Sequence, residues 1–211
     1  MNGTYWWWSC GLVVMALVLV GYAVAQEGPA APAVSEAPAP VDVVIVWAGG
    51  TPGAAGAPAP EVGPVDTVTQ ATPEVGNTKE IAEKLAEELK AAGFSVMVTP
   101  AEECRDPRLI LQAKALVLGS PEYFGIPPWQ MVRFVDEVLY RFYRTPARLS
   151  GKVVTAFASG EHCLNTLEGI LRGMRGEAVP GAVVGARGPA AERETAVKEL
   201  AQRIGAALKK E

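Results

Sequence analysis

Val43-Val44-Ile45-Val46-Trp47 is the stretch that decides the fold. A strand with one solvated face alternates apolar and polar residues, whereas an unbroken β-branched run suits a strand covered on both faces. Phe94-Ser95-Val96-Met97-Val98, Ala115-Leu116-Val117-Leu118 and Lys152-Val153-Val154-Thr155-Ala156-Phe157 have the same character, and Ala182-Val183-Val184 is a shorter fifth. Helical periodicity fills most of the intervals. Ile81, Leu85 and Leu89 recur on one stripe between Thr78 and Ala92, with Asn77 as a suitable N-cap, Glu80 three residues later and Gly93 as the stop. Met131, Phe134, Val135, Val138 and Leu139 mark a helix over Pro128–Tyr143, and Leu164, Leu167, Ile170 and Leu171 begin another. Val197, Leu200, Ile204 and Leu208 line the last, near Ala190–Lys209. The pattern predicts an α/β fold: a three-layer, doubly wound, five-stranded parallel sheet over residues 41–211.

Composition limits what such a domain does. Of 211 residues, 49% are apolar and 20% charged, enough to bury a core and too apolar for wholesale disorder. The net charge of −4 argues against an electrostatic nucleic-acid binder, which needs a basic face. Three cysteines are too few for a disulfide scaffold, and one histidine, His162, cannot supply a two-histidine zinc site.

The N-terminal fifth of the chain follows other rules. Tyr5–Ala25 carries no charged residue and as a helix reaches roughly 31 Å, about one hydrocarbon thickness. Trp6-Trp7-Trp8 and Tyr22 resemble interfacial anchors, so residues 1–25 read as a transmembrane anchor. Ala23-Val24-Ala25 has the form of a signal-peptidase site, which keeps a cleaved signal peptide open, although a positive leader region is missing. A mis-assigned start is the third alternative. Cys10 precedes the apolar run, the wrong place for a lipid attachment site. Residues 26–40 are Ala/Pro-rich and read as an extended spacer, which makes the domain membrane-anchored or exported, outside the cytoplasm. A second stretch of this kind, 49–73, interrupts the folded domain with about 25 residues that lack periodicity.

In doubly wound sheets ligands sit beyond the carboxyl ends of the strands, near the point where strand order reverses. Three clusters belong there. Val75-Gly76-Asn77-Thr78 opens the first helix, where free amides and a hydroxyl suit a phosphate, although capping alone also explains these residues. Gly119-Ser120-Pro121-Glu122-Tyr123-Phe124-Gly125 follows the third strand and presents two aromatics, either to a flat ring or to the next helix. Ser159-Gly160-Glu161-His162 reads as a polar loop after the fourth, with His162 as a proton donor or a solvated side chain. Cys163 reads as a small packed residue, and Cys104 lies after the second strand, away from it.

Taken in order, these clusters resemble the flavodoxin-like superfamily, in particular FMN-binding flavodoxins and NAD(P)H:quinone oxidoreductases of the tryptophan-repressor-binding-protein type. Gly76-Asn77-Thr78 with Ile81-Ala82 is similar to the family's phosphate loop, Gly119–Gly125 to its Gly-Ser-Pro loop, and Met131–Asp136 and Gly151-Lys152 to its third helix and fourth-strand entry. The resemblance implies strand order 2-1-3-4-5 and bound FMN. Gly76, Asn77 and Thr78 would hold the phosphate. Ser120, Pro121, Tyr123, Phe124 and Gly125 would line one side of the flavin, and Ser159, Gly160, Glu161 and His162 the other. It also implies a quinone or a redox protein as partner, with NAD(P)H as a donor. Two departures stand out: the 49–73 insertion, and Pro73-Glu74-Val75 where the family carries hydroxyls. They leave open a flavin-free binding or scaffold domain.

Overall fold

The computed structural model describes residues 40–49, 77–145, 149–185 and 189–210. The apolar N-terminus, most of the spacer and residues 50–76, with Val75 and Gly76, lie outside them. Among the described residues no helix is long and apolar enough to cross a membrane.

The strands are β1 (Val43–Trp47), β2 (Val96–Pro100), β3 (Ala115–Ser120), β4 (Val153–Ala158), β5 (Glu177–Ala178) and β6 (Ala182–Val183). All pair in parallel, in the order β2-β1-β3-β4-β5, with β6 also on β4. The expected order 2-1-3-4-5 is therefore present. The fifth position is shared: β5 pairs with Val153 and Val154, β6 with Phe157 and Ala158. Pro180, which has no amide to give a ladder, stands in the gap, and the apolar run at 182–184 revealed only the second segment.

The helices are α1 (Asn77–Ala91), α2 (Pro107–Gln112), α3 (Trp129–Phe134), α4 (Tyr140–Tyr143), α5 (Glu161–Gly173) and α6 (Ala190–Leu208). Side chains alternate along each strand and sort into two cores. Val43, Ile45, Val117 and Phe157 pack with Ile81, Leu85 and Leu89 of α1 and with Val197, Leu200 and Ile204 of α6. Val44, Val46, Leu116 and Val154 pack with Ile110, Met131, Phe134, Leu139, Leu167 and Leu171 on the opposite face. That makes the three layers. Gly119 pairs with Phe157, and a Cβ there would lie 2.2 Å from the ring, so glycine makes room for the Phe157 ring over β3.

Three local expectations are corrected. Strand two runs from Val96 to Pro100, two residues later than Phe94–Val98, because Ser95 is engaged with Asp42. The single helix expected over Pro128–Tyr143 begins at Trp129 and is interrupted by a π-turn at Val135–Leu139. This wider turn buries Val138 and Leu139 together and leaves Val135 half-buried, a displacement that uniform periodicity cannot anticipate. Finally, Asn77 is the first residue of α1 and not the cap before it.

Candidate functional site

The chain leaves β1 at Ala48 and Gly49, and the described residues resume with α1 at Asn77. A Cβ at Gly49 would lie 3.4 Å from the Thr78 side chain. Helix α1 therefore begins at the rim of β1 in spite of the inserted residues. Thr78 is buried there, on a helix end whose first amides have no intrahelical acceptor. Gly76 is outside the described residues, as is the side chain of Asn77.

Beyond β3 the chain makes a two-residue hairpin. Tyr123 and Ile126 exchange backbone hydrogen bonds, Tyr123 N–H to Ile126 O at 2.9 Å and Ile126 N–H to Tyr123 O at 3.0 Å. Phe124 and Gly125 between them have φ of 54° and 83°, the signs of a type I′ turn. Glycine takes such a φ freely; phenylalanine does so at a cost of about 1 kcal/mol. Phe124 is nevertheless there, and its relative exposure of 105% excludes packing against a helix as its compensation. The Tyr123 hydroxyl has the opposite environment: it is buried, with no hydrogen-bond partner among the described residues. Ser120 and Pro121 lie buried beneath the hairpin, the Ser120 hydroxyl donating to Pro121 O at 2.9 Å.

Beyond β4, Ser159 and Gly160 lead into α5. Glu161 and His162 belong to the helix's first turn, not to a loop as their polarity suggested, and both are exposed. The Ser159 amide donates to Ser120 O at 3.1 Å, so the β3 and β4 exits are tied. A Cβ on Gly125 would lie 3.6 Å from the His162 Cβ, which brings the hairpin tip against α5. Cys163 is buried, and burial pushes its thiol up to about 11, an effect that the hydrogen bond with Ser120 partly offsets. It is a packed thiol and no nucleophile. Cys104 is likewise buried, its thiol pushed up to about 11, and both are free.

The structure thus brings the third cluster onto the second, and the part of the first that is described onto the rim of β1. Two residues escaped the sequence reading. Gly49 gives no signal, since it sits in a glycine-rich stretch. Glu122 does: its carboxylate Oε2 accepts the Cys163 amide at 2.8 Å, and its own amide donates to Ser159 Oγ at 2.8 Å. The clue was Gly160 at a helix start, a residue with no oxygen to cap with. Next to the hairpin, Ile126, Pro127, Trp129 and Val132 line an open apolar groove beside Arg133 and Asp136.

The family model described as Flavodoxin matches residues 74–167. That range starts where the insertion ends and leaves out β1. A flavodoxin of Aquifex aeolicus (strain VF5) is 35% identical over 85 residues, 40% of this chain; the match spans 44% of that protein's length. Among solved structures, the flavodoxin of Streptococcus pneumoniae TIGR4 superposes with a TM-score of 0.54 at 20% identity, covering 78% of this chain and 97% of that one. Rubredoxin:oxygen oxidoreductase from Desulfovibrio gigas gives 0.57 at 20% identity, over 80% of this chain and 36% of its own. A WrbA-like flavodoxin from Agrobacterium tumefaciens gives 0.55 at 17% identity, over 81% of this chain and 99% of its own. Strand order and these likenesses agree: the fold is flavodoxin-like, and residues 74–167 are similar in sequence to flavodoxins.

Proposed function

We propose that this chain is a flavin-binding redox protein whose cofactor is FMN. The observation that carries the reading is the convergence on one sheet edge of the α1 N-terminus at Thr78, the exposed aromatic hairpin tip and the first turn of α5. The edge lies between β1 and β3, where the strand order reverses. The residues fit the group. Gly49 leaves the space beside Thr78 clear of a side chain, the buried Tyr123 hydroxyl has no partner among the described residues, and Phe124 is held in a strained, solvent-facing conformation.

FMN supplies the reversible electron transfer when bound. Asn77 and Thr78, with Gly76 before them, bind the phosphate through amides and hydroxyl at the positive end of α1, a site that needs no arginine. Phe124, Tyr123 and Gly125 would form one wall of the flavin site. Ser159, Gly160 and Glu161 bound the other side. His162, beside Gly125, is placed to hydrogen-bond the ring or to exchange a proton with it. A bound flavin would pass electrons to a quinone or to a redox-protein partner, with NAD(P)H as the donor in the enzymatic version. The apolar Tyr5–Ala25 run ties the domain to a membrane or directs its export.

The test is a titration of the purified full chain with FMN and, in parallel, riboflavin. Quenching of flavin fluorescence by FMN, weaker with riboflavin, is expected. Unquenched FMN at millimolar protein would leave the second reading, a flavin-free binding domain. That reading draws on Pro73-Glu74-Val75, which brings a carboxylate and no hydroxyl before Gly76.

A further inference from the structure

Helix α5 starts with a deficit that another loop makes good. Its N-cap, Gly160, makes no side-chain cap, and the amides of the first turn need an acceptor. Glu122, from the loop after β3, provides one through its bond from the Cys163 amide. Room for this carboxylate exists only because residue 160 is glycine: a Cβ there would lie 2.3 Å from the Glu122 carboxyl carbon. The backbone of Glu122 is held as well, by Ser159 Oγ. One residue therefore bonds twice to the β4–α5 corner, and the next residue, Tyr123, opens the hairpin.

We infer that Glu122 is a positioning residue: it locks the Tyr123–Ile126 hairpin, with Phe124 at its tip, against α5, and so sets the spacing of the two walls of the candidate site. The hairpin's own two backbone bonds close the turn but do not orient it. Orientation comes from outside, from Glu122 on one flank and the Gly125–His162 contact on the other. The carboxylate has a second consequence. It fills the N-terminal end of α5 with an internal anion, which turns a ligand's phosphate away from that helix and toward α1. What the walls receive rests on the flavin reading; the lock itself is a property of the ligand-free chain.

Amide hydrogen exchange of the full chain without flavin tests the lock. In Glu122→Ala the amides of Tyr123, Ile126 and Cys163 are expected to exchange about tenfold faster, with the β1 amides unchanged. Glu122→Gln retains an oxygen that can accept the Cys163 amide and should return all three to within about threefold of the wild type. Ser159→Ala, which removes the other bond, should quicken Tyr123 and Ile126 about threefold and spare Cys163. If only Cys163 responds to Glu122→Ala, Glu122 is a helix cap and nothing more, and the inference falls. FMN titrations of the same variants separate the two readings. Wild-type exchange behaviour as described, without any FMN uptake, removes the flavin and leaves the lock. FMN affinity that drops about tenfold in Glu122→Ala and recovers in Glu122→Gln supports both.

Discussion

The two ends of the sheet are built on opposite terms. At the amino end, the residue before each of the first four strands closes the structure. Asp42 accepts from the Ser95 amide at 2.9 Å and from its hydroxyl at 2.8 Å, and pairs with Lys114 at 3.0 Å. The Lys152 ammonium donates to the carbonyls of Leu111 and Ala113 at the end of α2. At the carboxyl end, Phe124 holds a left-handed φ in full solvent, the Tyr123 hydroxyl is buried without a partner among the described residues, and Ile126, Trp129 and Val132 are exposed. Stability is concentrated at one rim and backbone strain at the other, the pattern that functional sites show. Glu122 is the exception that joins the two: an amino-rim style of bond placed at the carboxyl rim.

Substitutions at each rim put this contrast at risk. The largest effect is expected from Gly160→Ala, which drives the Glu122 carboxylate off α5 and should cost about 2 kcal/mol in chemical denaturation together with weaker FMN binding. A neutral result there would erase the special standing of Glu122. At the amino rim, the Ser95 amide and hydroxyl, with Lys114, hold the Asp42 carboxyl at about 2, well below its ordinary value. A depressed carboxyl contributes stability that is complete above about pH 4 and lost as the pH falls toward about 2. Asp42→Asn should therefore lower stability at neutral pH by about 1.5 kcal/mol, after discounting for solvent screening, and flatten the acid limb between those values. FMN titration of this variant should match the wild type; altered affinity would mean the rims are not independent.

Thr78→Ala should weaken FMN about tenfold, or about 1.4 kcal/mol, and leave riboflavin binding untouched. Equal losses for both ligands would place the phosphate elsewhere. The smallest expected change has the opposite sign. Phe124→Asn, a residue that tolerates positive φ, should stabilise the ligand-free protein by about 1 kcal/mol, measured by thermal unfolding, while flavin binding weakens. A variant that lost stability would show that Phe124 is not strained.

Much of the fold was readable without coordinates because burial on both faces leaves a signature in residue type alone. Val43–Trp47, the Ile81/Leu85/Leu89 stripe and the Val197/Leu200/Ile204 stripe are each governed by neighbours in the chain and by an apolar environment on a known side. Where a distant residue intervenes, the reading slipped. Ser95 leaves the strand to serve Asp42, the π-turn moves Leu139 under the sheet, and Pro180 divides the fifth strand position. His162 illustrates the same limit at the site, since a polar tetrapeptide reads as a loop until a helix cap is contributed by Glu122 from another strand's exit.

Residue pattern by itself determined the layers, the parallel strands and which βα turns stand at the carboxyl rim, since those follow from hydrophobic period and from the geometry of right-handed crossovers. Only the tertiary structure decided that α1 restarts against Gly49, that Phe124 stands strained and exposed, and that Glu122 completes a helix it does not belong to. These are contacts between segments far apart in the chain, and their energies depend on distances that no local sequence window contains.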